Sequence, residues 1–323
     1  MPRKRAVLQV ADTGPLESLV VMLEEAGYEC LLPGPKLRRE LSALGGLVLA
    51  PEDLQASMGY EPPKDLQRVE SLRNIDLYVD VKAHQIRERF TKQYGIPILW
   101  YRINGGQPEH VPGRGDEVNP GCPILTPNQW YKGREDAYAF WPYFYRFDRY
   151  SRDLIVDGPP ICLIHNINGW GYQDLVPHMR GLGVRCYGRG SPDGLVQHKD
   201  VPYLLSRALC TVHLKSNDAP GYAIYESMAS GCPIVCTRRL IWRCKMQELL
   251  IPNETCLVFD RETHDALTSE DVASCVADVA THLYQLKDPA VNRGIGEAGR
   301  QKLLDLMWED AEGFASWMRR MFP

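Results

Sequence analysis

Residues 214–237, LKSNDAPGYAIYESMASGCPIVCT, constrain the fold more tightly than any other stretch of this chain. Asn217 and Asp218 favour helix starts, and Pro220 with Gly221 sets a turn ahead of the helix. No breaker occurs from Ala223 to Ala229, and Gly231 stands where a C-terminal cap belongs, so the spacing predicts a helix over 222–230. Pro233 forbids continuation, and Ile234, Val235 and Cys236 then read as a buried strand. A helix that opens after a turn leaves its first amides, at Gly221, Tyr222 and Ala223, without intrahelical partners at the positive end of its dipole, which makes an anion site. Asp218 in the loop and Glu226 in the helix are eight residues apart, and carboxylates accept paired hydrogen bonds from vicinal hydroxyls. An anion site flanked by hydroxyl-binding acids fits a ligand with phosphate at its centre and a sugar at each end, as in a nucleotide sugar.

The stretch resembles the donor site of retaining glycosyltransferases of the GT-B fold, the group that contains glycogen and sucrose synthases. Their pattern is an acid, seven residues, then Glu-Ala-Met-Ala-x-Gly-x-Pro-Val. Here Asp218 is followed by seven residues and then Glu226-Ser-Met-Ala-Ser-Gly231-Cys-Pro233-Ile. The first half departs from the pattern, with Asp for the usual Glu and Ala219-Pro220-Gly221-Tyr222 for the usual Gly-Phe-Gly-Leu. The resemblance implies an α/β chain of two Rossmann-like domains facing a cleft. Without it, the stretch also fits an ordinary strand, loop and helix of another α/β protein.

A length of 323 residues suits two domains, and 44% apolar with 24% charged residues is typical of a soluble globular chain. Ten cysteines at irregular spacings, with no CxxC pair and no signal peptide, read as buried thiols in a cytoplasmic protein. Cys232 and Cys236 fall on the helix exit and the next strand, which disfavours a zinc site. No apolar run approaches the ~18 residues that span a bilayer, so no membrane insertion is expected. A net charge of −4 gives no general attraction to nucleic acid, though it leaves room for a local basic patch. Arg3, Lys4 and Arg5 form a small basic tip, more often a solvated terminus than a binding arm.

Along the chain, apolar runs at 6–10, 28–32, 45–50, 75–81 and 96–103 read as strands, with helices at 16–26 and around 85–94. Alternating strands and helices with short connections imply a parallel sheet flanked by helices, whose ligands bind at the carboxyl ends of the strands. His84 and Asn104 follow two such ends, and the resemblance implies that a histidine in the place of His84 reaches the sugar. Residues 107–121 read as a long loop rich in Pro and Gly. Residues 130–150 are dense in aromatics, read as packing at a domain junction or, more sharply, as a platform for stacking an acceptor. A linker at 152–160 precedes strands at 161–165 and 184–187. The latter ends in Gly188-Arg189-Gly190, which resembles the Gly-x-Gly beside the nucleotide in GT-B enzymes. Expected domains are 1–155 for the acceptor and 156–308 for the donor, with a helix at 309–323 crossing back.

From the resemblance, the chain is expected to be a retaining, metal-independent hexosyltransferase with no resident cofactor. Its donor would be a UDP-sugar and its acceptor a hydroxyl group. Glu226 would hold the ribose and Asp218 the transferred sugar, with His84 and Lys215 as further catalytic candidates. The diphosphate would lie on the amides of Gly221, Tyr222 and Ala223, beside Gly188 and Arg189, so that fixed dipoles and a cation stabilise the leaving group. Two alternatives stand beside this: a sugar-nucleotide epimerase of the same fold, and a noncatalytic protein binding nucleotide sugar or nucleic acid. The aromatic stretch is interleaved with Lys132, Arg134, Arg146, Arg149 and Arg152, which makes hydroxymethylpyrimidine in DNA the named acceptor. Oligomeric state is not legible.

Overall fold

The computed structural model describes residues 3–9, 13–45, 66–80, 83–101, 122–127, 129–141, 150, 157–166, 174–215, 222–260 and 268–323. The chain divides into two compact units, Met1–Tyr145 with Met307–Pro323, and Arg146–Leu306. Among the described residues no helix is long and apolar enough to cross a membrane. All ten cysteines are buried free thiols.

The first unit runs β1 (Lys4–Gln9), α1 (Thr13–Glu25), β2 (Tyr28–Pro33), α2 (Pro35–Ala43), β3 (Arg68–Val69), β4 (Leu77–Asp80), α3 (Ala83–Tyr94), β5 (Ile98–Tyr101), β6 (Ile124–Thr126) and β7 (Ala137–Ala139). Its sheet has the order β3-β2-β1-β4-β5-β6-β7, and every pair is parallel. The inner strands β4 and β5 are buried along their whole length, as a sheet covered on both faces requires. Phe90 of α3 lies against Tyr78 of β4, with ring centroids 4.5 Å apart, in a core that also holds Leu31, Leu41, Ile86 and Trp100.

The second unit carries β8 (Ile161–Asn166), α4 (Val176–Gly181), β9 (Arg185–Arg189), α5 (Val201–Arg207), β10 (Thr211–His213), α6 (Tyr222–Ser230), β11 (Ile234–Thr237), α7 (Arg238–Arg243), β12 (Leu257–Phe259), α8 (Ser269–Gln285) and α9 (Pro289–Met321). Its five strands are again all parallel, in the order β12-β11-β10-β8-β9. The chain goes from β8 to β9 on one side and then crosses to β10 on the other. This makes the carboxyl end of the β8–β10 pair the topological switch point, where open parallel sheets form a crevice.

Two helix ends follow their sequence signals closely. Thr268 caps α8, accepting from the Asp271 amide at 3.1 Å while the Asp271 carboxylate takes the Thr268 amide at 2.9 Å. The C-terminus of α6 closes on Gly231, at φ +70°, with Gly231 N donating to Met228 O at 2.9 Å and Cys232 N to Ser227 O at 2.8 Å.

Other elements depart from expectation. The helix expected at 309–323 is the end of a single 33-residue helix, α9, because Trp308, Glu309 and Asp310 contain no breaker. Within the first unit Tyr138 donates to the Asp310 carbonyl at 2.7 Å and meets the Phe314 ring at 5.4 Å. The aromatic stretch contains β7 and a short 3-10 turn, and Tyr131, Phe140 and Trp141 are buried. Tyr131 belongs to the first unit's core, and the Phe140 ring lies 6.1 Å from that of Tyr101 on β5. The strand expected at 45–50 and the loop at 107–121 with Asn104 lie outside the described residues, apart from Gly45.

Candidate functional site

The carboxyl edge of the second sheet gathers most of the described residues that the sequence singles out. From β9 come Gly188 and Arg189, from just beyond β10 comes Lys215, and α6 begins at Tyr222 and Ala223. Asp218 and Gly221 lie outside the described residues. His84 occupies the first turn of α3 in the other unit, just beyond the carboxyl end of β4, and its side chain lies outside the description.

Helix α6 is buried from Ile224 to Ser230, so its polar residues must be satisfied inside the protein. Ser227 Oγ donates to the Ala223 carbonyl at 2.6 Å and lies 2.7 Å from Thr211 Oγ1, which ties the helix to β10. Ser230 Oγ donates to Glu226 O at 3.0 Å and to Ser227 O at 2.9 Å. Arg300 of α9 donates to the Ala229 carbonyl and, at 2.6 Å, to Tyr150 O. A guanidinium at the last turn of α6 complements the negative end of its dipole. The opposite, positive end begins at Tyr222.

Glu226 is 4% exposed, and its Oε1 lies 2.6 Å from Nε2 of His198. A carboxyl group so deeply buried needs a hydrogen-bond partner, and the His198 imidazole is that partner among the described residues. His198 opens the 3-10 turn His198–Asp200, which runs directly into α5. Sequence reasoning missed it. The spacing of 28 residues from Glu226 carries no periodic signal, and only the packing of α5 on α6 brings the two together.

His213, also missed, is 3% exposed at the end of β10, and its Nε2 has no hydrogen-bond partner among the described residues. Burial, then the nearby Lys215 ammonium, pulls its pKa from the ordinary 6.5 down to about 3. A polar residue closing an apolar strand, in CTVHL, was the available signal. The Lys215 carbonyl accepts from Thr237 Oγ1 at 3.2 Å, while the same hydroxyl caps α7 by accepting from Leu240 N at 3.1 Å. The chain leaving β10 is thereby tied to the start of α7 after β11.

Gly188 is required by strand pairing. Its φ is +145°, and a Cβ there would stand 1.7 Å from the Ile164 carbonyl oxygen on β8. The β8–β9 register shifts between Ile164 and Asn166, so β9 presses closest at this point. The sequence associates this glycine with a nucleotide, and the structure gives it a packing reason of its own. Arg189 follows it, exposed at the strand's end.

Two α/β units, each built on an all-parallel sheet, have the architecture of the GT-B fold. The fold match is extensive. Sucrose-phosphate synthase from Thermosynechococcus elongatus superposes with a TM-score of 0.63 at 15% identity over 99% of both chains. A glycosyltransferase from Rickettsia africae gives 0.63 at 11% identity, again over 99% of both. An α-glucosyltransferase solved with UDP-glucose and DNA containing an abasic site gives 0.62 at 10% identity over 97% of this chain and 99% of that one. Residues 172–307 match the family model described as glycosyl transferase-like, a span that contains Gly188, His198, Lys215 and the whole of α6. No curated protein matches the chain.

Proposed function

We propose that the chain is a retaining glycosyltransferase that moves a hexose from a UDP-sugar to a hydroxyl acceptor. The observation that carries this reading is Glu226: a buried, hydrogen-bonded carboxylate on α6, within the family-matched span, beside the switch-point edge of a parallel sheet. Glu226 takes the ribose hydroxyls, the first amides of α6 take the diphosphate, and Lys215 and Arg189 supply positive charge. Asp218 contacts the transferred sugar, and His84 approaches it from the first unit.

In the step itself, the bond from the sugar's anomeric carbon to the phosphate oxygen breaks. A bond from that carbon to the acceptor oxygen forms on the same face. The acceptor's proton passes to the leaving diphosphate, so no separate base is needed. Charge on the departing phosphate is stabilised by fixed dipoles and cations, and no divalent ion is required.

The test is calorimetry with UDP alongside turnover. Glu226→Ala is expected to weaken UDP at least tenfold, the scale of a charge-assisted hydrogen bond, and Glu226→Gln to do so while preserving shape. Asp218→Ala is expected to lose turnover with little loss of UDP affinity, because the contact to the reacting sugar changes along the reaction. Unchanged UDP affinity in both Glu226 variants would sink the assignment. Turnover should also survive a chelator, and complete loss that a divalent metal restores would overturn the account of the leaving group.

For the acceptor we propose a hydroxymethylated pyrimidine in DNA. The supporting observation is the fold shared with an α-glucosyltransferase whose structure contains UDP-glucose and DNA. Incubation of the protein and UDP-glucose with duplex DNA containing hydroxymethylcytosine, then digestion to nucleosides, should show a hexose-sized mass addition. No addition, alongside turnover on a small glycan, would end this acceptor assignment.

A further inference from the structure

The contact between His198 and Glu226 goes beyond what any GT-B pattern in the sequence specifies. Glu226 is fixed from below by its place on a wholly buried helix. The two serines of that helix are committed elsewhere, Ser227 to Thr211 and the Ala223 carbonyl, Ser230 to two backbone carbonyls. The carboxylate is therefore oriented by His198, at 2.6 Å, and by no other described side chain.

The imidazole comes from a well-anchored element. Asp200 N donates to Gln197 O at 2.9 Å to close the 3-10 turn, and α5 follows at once with Val201 and Leu205 buried. The His198 side chain is 24% exposed, against 5% for that of Glu226, so the pair has a buried acid and a solvent-facing imidazole at its mouth. An ionised carboxylate offers about four lone-pair sites. One imidazole N–H uses one of them on Oε1, which leaves enough for two hydroxyl donors.

We propose that His198 is a positioning residue that fixes the Glu226 carboxylate to accept both hydroxyls of a ribose, so that the site selects ribonucleoside over 2′-deoxyribonucleoside diphosphates. The proposal rests on the reading of Glu226 as the sugar-binding end of the nucleotide site. Without the imidazole, the carboxylate loses its fixed rotamer and its charge-assisted partner. The loss falls on a ligand that offers two hydroxyls and spares one that offers a single hydroxyl.

The experiment is calorimetric titration of the full chain with UDP and with 2′-deoxy-UDP. Wild type is expected to bind UDP at least about tenfold more tightly than the deoxy analogue. In His198→Ala the UDP affinity should fall about tenfold and the deoxy affinity much less, bringing the ratio toward one. His198→Phe keeps ring volume without a donor and should behave as the alanine variant does. His198→Gln keeps an N–H donor and should hold most of the wild-type ratio. Thermal melts identify any variant that fails to fold, and each of the three substitutions can carry the test alone. A folded Ala or Phe variant with the wild-type ratio overturns the proposal, as does a folded Gln variant as impaired as Phe. Absence of any nucleoside diphosphate binding by wild type would instead overturn the donor-site reading. Wild-type binding that Glu226→Gln leaves unchanged would overturn the ribose assignment alone.

Discussion

Gly188→Ala is expected to destabilise the second unit by about 3 kcal/mol or more, whereas Gly194→Ala, six residues away, should cost about 1 kcal/mol. Both glycines have positive φ, +145° and +86°, so alanine is strained at either. They differ in what a Cβ would meet. At Gly188 it would overlap the Ile164 carbonyl oxygen at 1.7 Å, the carbonyl carbon at 2.7 Å and the Cα at 3.3 Å, while nothing lies within 4 Å at Gly194. All three atoms are backbone of a paired strand, so no rotamer change relieves the clash and β8 must part from β9. Cys162, Leu163 and Ile164 hold the register with Cys186, Tyr187 and Gly188, and Ile164 belongs to the unit's main core. Urea unfolding of both variants separates conformational strain from overlap. A Gly188→Ala cost no greater than that of Gly194→Ala would show that the close approach of the strands is absent in solution.

The same glycine carries a packing constraint that its motif does not express. Gly188-Arg189-Gly190 stands out as a short motif, but the distance to Ile164 is a tertiary fact that no spacing encodes. Signals that are local were legible: the helix over 222–230, its Gly231 cap and the Thr268 start of α8 depend on backbone rules within a few residues. The parallel sheets followed from alternating strands and helices, because such connections leave few other topologies. Short elements were not legible. Two residues in β3 and three each in β6 and β7 are too few to show a period, and their pairing is set by the neighbouring strand. Helix α2 is hidden by its charge, with Leu37 and Leu41 as its buried residues. Glu226 stands out in the sequence because it sits in a pattern, and His198 does not because its contact with Glu226 is made only by tertiary packing.

The second large effect concerns His213. Its pKa is about 3 in the folded chain and near 6.5 when unfolded, so between those values the unfolded state binds one more proton than the native state. Stability therefore rises with pH across that window and is lost as pH falls below 6.5. Each unit is worth about 1.4 kcal/mol, so at pH 4.5 this imidazole alone should account for roughly 2–3 kcal/mol of lost stability. His213→Leu removes the titration while keeping an apolar volume at a site that is 3% exposed. The comparison is the change in urea-unfolding free energy from pH 7 to pH 4.5, with the wild type expected to lose 2–3 kcal/mol more than the variant. Equal losses would mean that the imidazole reaches water or gains a partner in solution. The direction also bears on the site: protonation would place a second positive charge beside Lys215 where β10 ends, and burial with Lys215 opposes it. A neutral His213 thus adds no second positive charge beside Lys215 at this strand end.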